Sequence, residues 1–411
     1  MKWTPDAVKA ARKVISKAPT LAAGFTSAAN ELGTTATAVR LQYERGALGD
    51  VSARPAPEVP ADVLTTYTSK LAKDAEKARI KALEKDLYTA RKVVETFSSV
   101  TAKPLEPIKR YELRSGRREA AAFALLSDVH CEERVRPGET PVPNVYNLDV
   151  ADRSIARFFA GYRWLLDFHR GGGGESSGFQ ITDATLWLGG DLMTGHIHPE
   201  NVENTESTPI ETMLWLRPRL VAGIELLLAD PKTERLNVVC SYGNHGRNTP
   251  KPYRALGAAH SYEWALYQIL AGHFAGNDRV RFLADASAHQ YMRAYDFDVH
   301  FHHGDETNYG GGVGGVMIPI NKSVAQWDIA RKCHFHNFGH WHQYIDTGRV
   351  ALNGSVIGFN AYAMSIKATP EPPQQAFYLL DSKRGKTCKS PIWVRDSADI
   401  PQDSFRRSKA A

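Results

Sequence analysis

The chain has 411 residues, 43% hydrophobic and 23% charged, with a formal net charge of +6. That length exceeds one ordinary core, so two or more domains are expected, with the balance of a soluble globular protein. No apolar run approaches the roughly 18 residues of a membrane span, so no membrane partner is expected. The N-terminus MKWTPDAVKAARKV has no apolar signal segment. The four cysteines (Cys131, Cys240, Cys333, Cys388) form no CxxC pair and no disulfide framework, which points to a reducing cytoplasm.

Charge is unevenly placed. Residues 1–120 carry 22 Lys and Arg against 14 Asp and Glu, a balance of +8, while the remainder carries 29 against 31, a balance of −2. All 15 histidines lie after residue 120. The basic surplus and the histidines therefore serve different tasks.

Residues 1–50 read as a helical module. Thr4 stands as an N-cap before Pro5, and "TSAANELGTTATAVRLQYERG" reads as helix, turn at Gly33, helix. Thr26 or Ser27 would open the first of these helices, and Thr34 or Thr35 the second. Such a pair resembles a helix-turn-helix DNA-binding unit whose second helix offers Arg40, Gln42 and Arg45. A helical cap or interaction module is the alternative. Residues 51–118 read as a connector: the Pro-rich linker "RPAPEVP", a Lys-rich amphipathic helix across 61–100, and the basic stretch "KPLEPIKRYELRSGRRE". The helix could join two copies of the chain, pack on the main domain, track phosphates, or simply face solvent.

From residue 119 to 395 the pattern changes. The apolar runs "AAAFALLSDVH", "ATLWLGGD", "LNVVCSYGNH" and "DVHFHHGD" each end in polar residues and alternate with helical stretches at 151–169, 209–230 and 258–276. Buried strands alternating with helices, with chemistry at the strand ends, describe a layered α/β domain. "RGGGGESSG" (170–178) reads as a surface insert, "NYGGGVGGVMI" (308–318) as a mobile loop over the cleft, and 396–411 as a disordered tail. Residues 344–358 and 374–381 read as closing strands of a second sheet.

Five strand ends carry Asp128 and His130; Asp191; Asn244 and His245; His303; and His340 and His342. In "DVH" both side chains are expected to leave one strand end on the same side. Glycines at 190, 243, 304 and 339 permit tight turns where a Cβ would crowd the backbone. Setting His245 aside, two carboxylates, one amide and four imidazoles, without thiolates, suit Mn, Fe, Zn, Ni or Co. That is too many donors for one ion and about right for two.

In order, D-x-H, G-D, G-N-H, H-G and G-H-x-H resemble the motif set of the calcineurin-like metallophosphoesterase superfamily, across roughly residues 120–385. The resemblance implies a four-layer α/β/β/α sandwich, mixed α/β or α+β in class, with a two-ion centre at one edge. Asp128, His130 and His342 would hold the first ion, Asp191 would bridge, and Asn244, His303 and His340 would hold the second. His245 would face the substrate phosphate. It also implies two divalent ions, Mn²⁺ foremost, and hydrolysis of a phosphate ester by a bridging hydroxide.

Several positions depart from the family or stay open. "GNHGR" carries Gly246 where many relatives carry an acid, so the partner of His245 must come from elsewhere, with Asp128 one choice. Arg247 could replace that acid as a phosphate clamp, and Lys251 and Arg254 extend a basic loop that could follow a nucleic-acid backbone. His196 and His198 could line the cleft. Between His302 and His303, the H-G step favours His303, leaving His300 buried or hydrogen-bonded. His169, His260, His273 and His289 read as structural, Cys131 and Trp341 as packing residues, and His334 and His336 as buried structural histidines.

The basic arm and the helix-turn-helix-like segment favour DNA as partner, and a DNA phosphodiesterase (exo- or endonuclease, phage-encoded in style) as function. The alternatives are a phosphatase or phosphodiesterase on small molecules or proteins, with the arm used for assembly, and a DNA-binding protein with a silent phosphoesterase domain.

Overall fold

The computed structural model describes residues 3–49, 73, 74, 76–81, 84, 106–109, 118–171, 178–308, 315–365 and 367–396. The chain divides into two compact units, Met1–Arg91 and Lys92–Ala411.

In the first unit, α1 (Pro5–Ile15), α2 (Leu21–Glu31) and α3 (Ala36–Glu44) begin at threonine caps. Thr4, Thr20 and Thr35 each accept a backbone N–H three residues on, satisfying an amide that has no partner in the first turn. Thr26 and Ser27, expected at a helix start, lie inside α2. There the Thr26 hydroxyl donates to Ala22 O at 3.1 Å, and Thr20 is the cap. Ala11, Ile15, Ala28, Ala29, Val39 and Leu48 form a core of their own. Arg40, on the outer face of α3, pairs with Glu44 at 2.8 Å. Of the helix read across 61–100, the described residues are helical and exposed.

The second unit is built on two sheets. The first contains β1 (Arg118–Leu126), β2 (Phe179–Gln180), β3 (Asp183–Leu188), β4 (Arg235–Cys240), β5 (Val280–Leu283), β11 (Gln374–Asp381) and β12 (Gly385–Trp393). Its order is β12-β11-β1-β3-β4-β5, with β2 pairing β1. β1, β3, β4 and β5 are parallel, and β11 and β12 run antiparallel. The second contains β6 (Gln290–Ala294), β7 (Phe297–His302), β8 (Phe335–Phe338), β9 (Ile345–Asp346) and β10 (Val350–Leu352), in the order β6-β7-β8-β10-β9. Residues 374–381, expected in this second sheet, instead pair with β1 in the first. Their apolar run fits either sheet, and only the pairing decides.

The helices are α4 (Leu148–His169), α5 (Pro199–Asn204), α6 (Pro209–Leu228), α7 (Tyr262–His273), α8 (Met317–Ala330) and α9 (Ala361–Ser365). Strand alternation separates the layers. From β1, Ala121, Phe123 and Leu125 join Trp187, Val299, Phe301 and Tyr378 in the core between the sheets, where the Phe123 and Tyr378 rings stack at 5.0 Å. Ala120, Ala122, Ala124 and Leu126 face the opposite way, into the core shared with α4, α6 and α7. On the outer face of the second sheet, Phe338, Val350 and Leu352 pack with Ile320 and Val324 of α8. This is the four-layer α/β/β/α sandwich that the motifs imply. The described cysteines form no disulfide. Among the described residues, no helix is long and apolar enough to cross a membrane. The inserts expected at 170–178 and 308–318 and the tail lie largely outside the described residues.

Candidate metal centre

Each chemistry-bearing block follows the C-terminal end of a parallel strand: Asp128 and His130 after β1, Asp191 after β3, Asn244 and His245 after β4, His303 after β7, and His340 and His342 after β8. Both sheets thus empty their strand ends into one region, where α/β proteins place their ligands. The side chains do not arrive there by strand alternation. Asp128, His130, Asp191, His340 and His342 all have positive φ, between 48° and 69°. That is uncommon for residues with a Cβ and concentrates at functional sites. The pairs in D-x-H and G-H-x-H therefore converge through left-handed turns beyond the strands, not through the extended geometry expected from spacing.

Donor atoms of Asp128, His130 and His342 lie within 4.8 Å of one another, and so do those of Asp191, His303 and His340. His342 Nε2 is 3.5 Å from Asp128 Oδ1, and His303 Nε2 is 2.9 Å from Asp191 Oδ2. Asp191 falls in the second group alone, with its Oδ1 accepting the His245 N–H at 2.8 Å. Asn244 lines the same cleft. Two glycines make the approach possible: a Cβ on Gly243 would sit 2.1 Å from Asp191 Oδ1, and one on Gly339 2.5 Å from Asp128 Oδ2.

The donors fit divalent ions. His130 Nε2, His342 Nδ1 and Asn244 Oδ1 are buried without a hydrogen-bond partner, a costly state unless a cation or water satisfies them. The hydrogen-bond network also fixes tautomers. The Thr194 hydroxyl donates to Glu133 Oε2 at 2.9 Å, so it must accept from His130 Nδ1 at 3.0 Å, leaving His130 Nε2 bare and turned to the site. His303 Nδ1–H donates to Gly189 O at 2.8 Å and leaves its Nε2 toward Asp191. Outer partners of this kind orient metal-ligating imidazoles.

Electrostatics follow the same layout. Burial alone would raise the Asp191 carboxyl, but the imidazoles of His303 and His245 hold it well below the usual range. Burial alone would lower His303, yet Asp191 holds it well above. Burial, followed by His245, pushes His130 well down, and burial followed by His303 pushes His340 to about 4. Neighbouring acids and imidazoles whose shifts diverge this far mark a candidate functional site.

Sequence reasoning missed the buried carboxylates that hold the loops. Glu132 accepts the N–H groups of Thr194 and Gly195 at 2.9 and 2.8 Å, and burial raises it to about 7. Glu263, on α7, accepts from Leu192 and Gly243 at 2.6 and 2.7 Å, and burial with the nearby Asp191 raises it to about 8. It thereby ties the β3 and β4 loops together. Glu263→Ala leaves two buried amides unpaired, so the folded state should lose roughly 2–5 kcal/mol, read as a lower denaturant midpoint. An unchanged midpoint would remove Glu263 from this role. Single glutamates of this kind leave no spacing pattern to find.

Other expectations are corrected. His245 takes its orienting partner from the backbone, its Nδ1 bonding Thr194 O at 2.9 Å, and not from Asp128. Gly246 leaves room for Glu263, whose Cγ would lie 2.7 Å from a Cβ there. The Arg247 guanidinium lines the cleft but donates to the carbonyls of Asn244, Thr249 and Pro250, so it braces its own loop. Arg254 pairs with Asp305 and Glu306, at 3.3 and 3.0 Å. His198 lines the cleft, while His196 meets Thr205 Oγ1 at 3.1 Å. His303 joins the centre and His302 points elsewhere. His336 is buried, but His334 is exposed because β8 begins only at Phe335. Trp341 packs beside the α8 core as expected.

The centre opens into a cleft of about 510 Å³, lined also by Glu133, Glu139, Glu200, Asn201, Asp305, Asn360 and Tyr362. Among the described residues that line it, Arg247 is the one lysine or arginine.

No protein-family model and no curated protein matches the chain. Among solved structures it is similar to zinc-complexed Vps29 from Entamoeba histolytica, at 11% identity over 66% of this chain and 99% of that one, with a TM-score of 0.27. It is also similar to a hypothetical protein from Pyrococcus horikoshii (14% identity, 71% and 94% covered, TM-score 0.32). A third is a predicted phosphoesterase from Streptococcus pneumoniae (11%, 66% and 98%, TM-score 0.23). These overlaps are loose, and the chemistry of the site follows from its own geometry.

Proposed function

We propose that the chain is a metal-dependent phosphoesterase of the calcineurin-like kind, with Asp128, His130 and His342 holding one divalent ion, Asn244, His303 and His340 a second, and Asp191 both. The observation that carries this reading is the pair of donor groups, each mixing carboxylate and imidazole, around one open cleft. When bound, two such ions supply a nucleophilic water near neutral pH and positive charge for the phosphoryl oxygens. The chain's own residues do the rest. With Nδ1–H held by Thr194 O, a protonated His245 presents Nε2–H to the leaving oxygen as general acid. Glu132 and Glu263 fix the loops that carry the donors.

The finer reading is a DNA phosphodiesterase. It is supported by the +8 balance of residues 1–120 and by three capped helices with a turn at Gly33. A second reading, a phosphatase or phosphodiesterase on small molecules, is favoured by the cleft wall. Glu133, Glu139, Glu200 and Asp305 line it, and Arg254 is neutralised by its partners, which disfavours a long polyanion. With Mn²⁺ present, linear, nicked, circular and single-stranded DNA are compared with mononucleotides and bis(p-nitrophenyl) phosphate. The DNA reading expects deletion of residues 1–105 to weaken DNA cleavage by roughly tenfold or more at low salt while sparing the small diester. Equal loss on both substrates contradicts a separate binding arm, and turnover of mononucleotides alone favours the second reading.

A further inference from the structure

We propose that His289, His302 and Glu306 form a separate site for one first-row divalent transition metal, of which zinc is the natural probe. His302 is the last residue of β7. Where His303 turns toward the centre, His302 turns to the opposite face of the second sheet, beneath Trp327 of α8 at 5.2 Å between rings. It is fully buried, and its Nε2 has no hydrogen-bond partner. That nitrogen lies 3.9 Å from Glu306 Oε2, and His289 Nε2 lies 3.4 Å from the same oxygen. All three donors fall within 4.8 Å of one another. Two imidazoles and a carboxylate suit zinc and its neighbours.

Proton counting along the neighbouring rings is compatible with an ion here. His289 Nδ1 meets His300 Nε2 at 2.9 Å, His300 Nδ1 meets His336 Nδ1 at 3.1 Å, and His336 Nε2 lies 3.5 Å from Asp328 Oδ1. A neutral imidazole has one N–H. If each ring donates toward Asp328, the three protons serve all three contacts and leave His289 Nε2 as a bare lone pair facing the Glu306 carboxylate. Two acceptors facing each other need a cation between them. Reversing the direction lets His289 Nε2–H donate to Glu306 and leaves bare His336 Nε2, which has no hydrogen-bond partner, so either direction fits the rings and the Glu306 end is set apart by the unpartnered His302 Nε2. A ligating imidazole whose other nitrogen donates into such a chain is how outer partners orient metal ligands.

One contact opposes the ion. Gly304 N–H lies 2.9 Å from His302 Nδ1, and holding an ion on Nε2 moves the ring proton to Nδ1 and breaks that bond. The ion here should therefore be held more weakly than those of the centre. When bound, it would pin the turn that carries Asp305 into the cleft to the outer face of the sheet.

The test counts zinc in the full chain, stripped with chelator and then dialysed to equilibrium against the metal, by mass spectrometry against protein. Three candidate groups predict three equivalents, two at the centre and one here. A mild chelator should remove one of them first. Glu306→Gln and His289→Ala should each hold two equivalents, and adding Glu306→Gln to Asp191→Asn should remove one more ion than Asp191→Asn alone. Should His289→Ala fail to fold, the near-isosteric Glu306→Gln decides. Two equivalents in the wild type, as expected if His289 simply carries an extra proton, would overturn the site, and so would three equivalents retained in Glu306→Gln. The count does not depend on turnover, so it stands apart from the phosphoesterase reading.

Discussion

Asp191→Asn should lower metal-dependent phosphodiester turnover by about a thousandfold or more. A two-ion centre supplies several kcal/mol to the reaction, and each ~1.4 kcal/mol is a factor of ten in rate. Asp191 faces His303 with one oxygen and accepts the His245 amide with the other. An amide side chain can keep the second contact but has lost the charge that would balance two cations. Bound metal per protein should fall in parallel, whereas the fold should persist. The same residue sets a pH dependence. Beside Asp191, and despite burial, His303 is held well above its usual range, so metal-free protein should keep a proton where the proposed ion would bind. Loading releases that proton and should weaken as pH falls. Metal content that is unchanged in Asp191→Asn, or independent of pH below neutrality, contradicts this assignment.

His245→Ala should behave differently. Its imidazole belongs to neither donor group, and it lines the cleft with Nδ1 tied to Thr194 O. Loss of a positioned general acid costs about 10²- to 10⁴-fold, so kcat should fall by that factor while both ions remain. The effect should shrink for a substrate with an activated leaving group such as p-nitrophenolate, which needs less protonation, and grow for an alkyl ester. Equal losses on both leaving groups would assign His245 to ground-state binding, and loss of metal would place it among the ligands.

How much of this was legible depended on the kind of signal. Strands buried on both faces read as apolar runs; the polar end of β1 set off Asp128, and glycine-flanked ends set off Asp191, Asn244, His303 and His340. The layering followed from them. Position in a sheet did not, since the run at 374–381 is equally apolar for either sheet and its pairing with β1 is a long-range choice. Alternation misled at the loops. Asp128, His130, His340 and His342 leave extended geometry for left-handed turns, so parity along the chain says nothing about where they point. The same error made His334 a buried residue when it stands exposed ahead of β8. Glu132, Thr194 and Glu263 act through backbone amides and hydroxyls distant in sequence, which no motif encodes. Arg247 had the right place for a clamp, but its own loop carbonyls claim its donors.

The central claim is tested most directly by stripping the full chain of metal and following bis(p-nitrophenyl) phosphate hydrolysis as Mn²⁺ is titrated back. Turnover should be near zero without metal, rise as the two donor groups fill, and stay absent throughout in Asp191→Asn. Hydrolysis that survives chelation, or none with any of Mn, Fe, Zn, Ni or Co, would contradict a two-ion phosphoesterase.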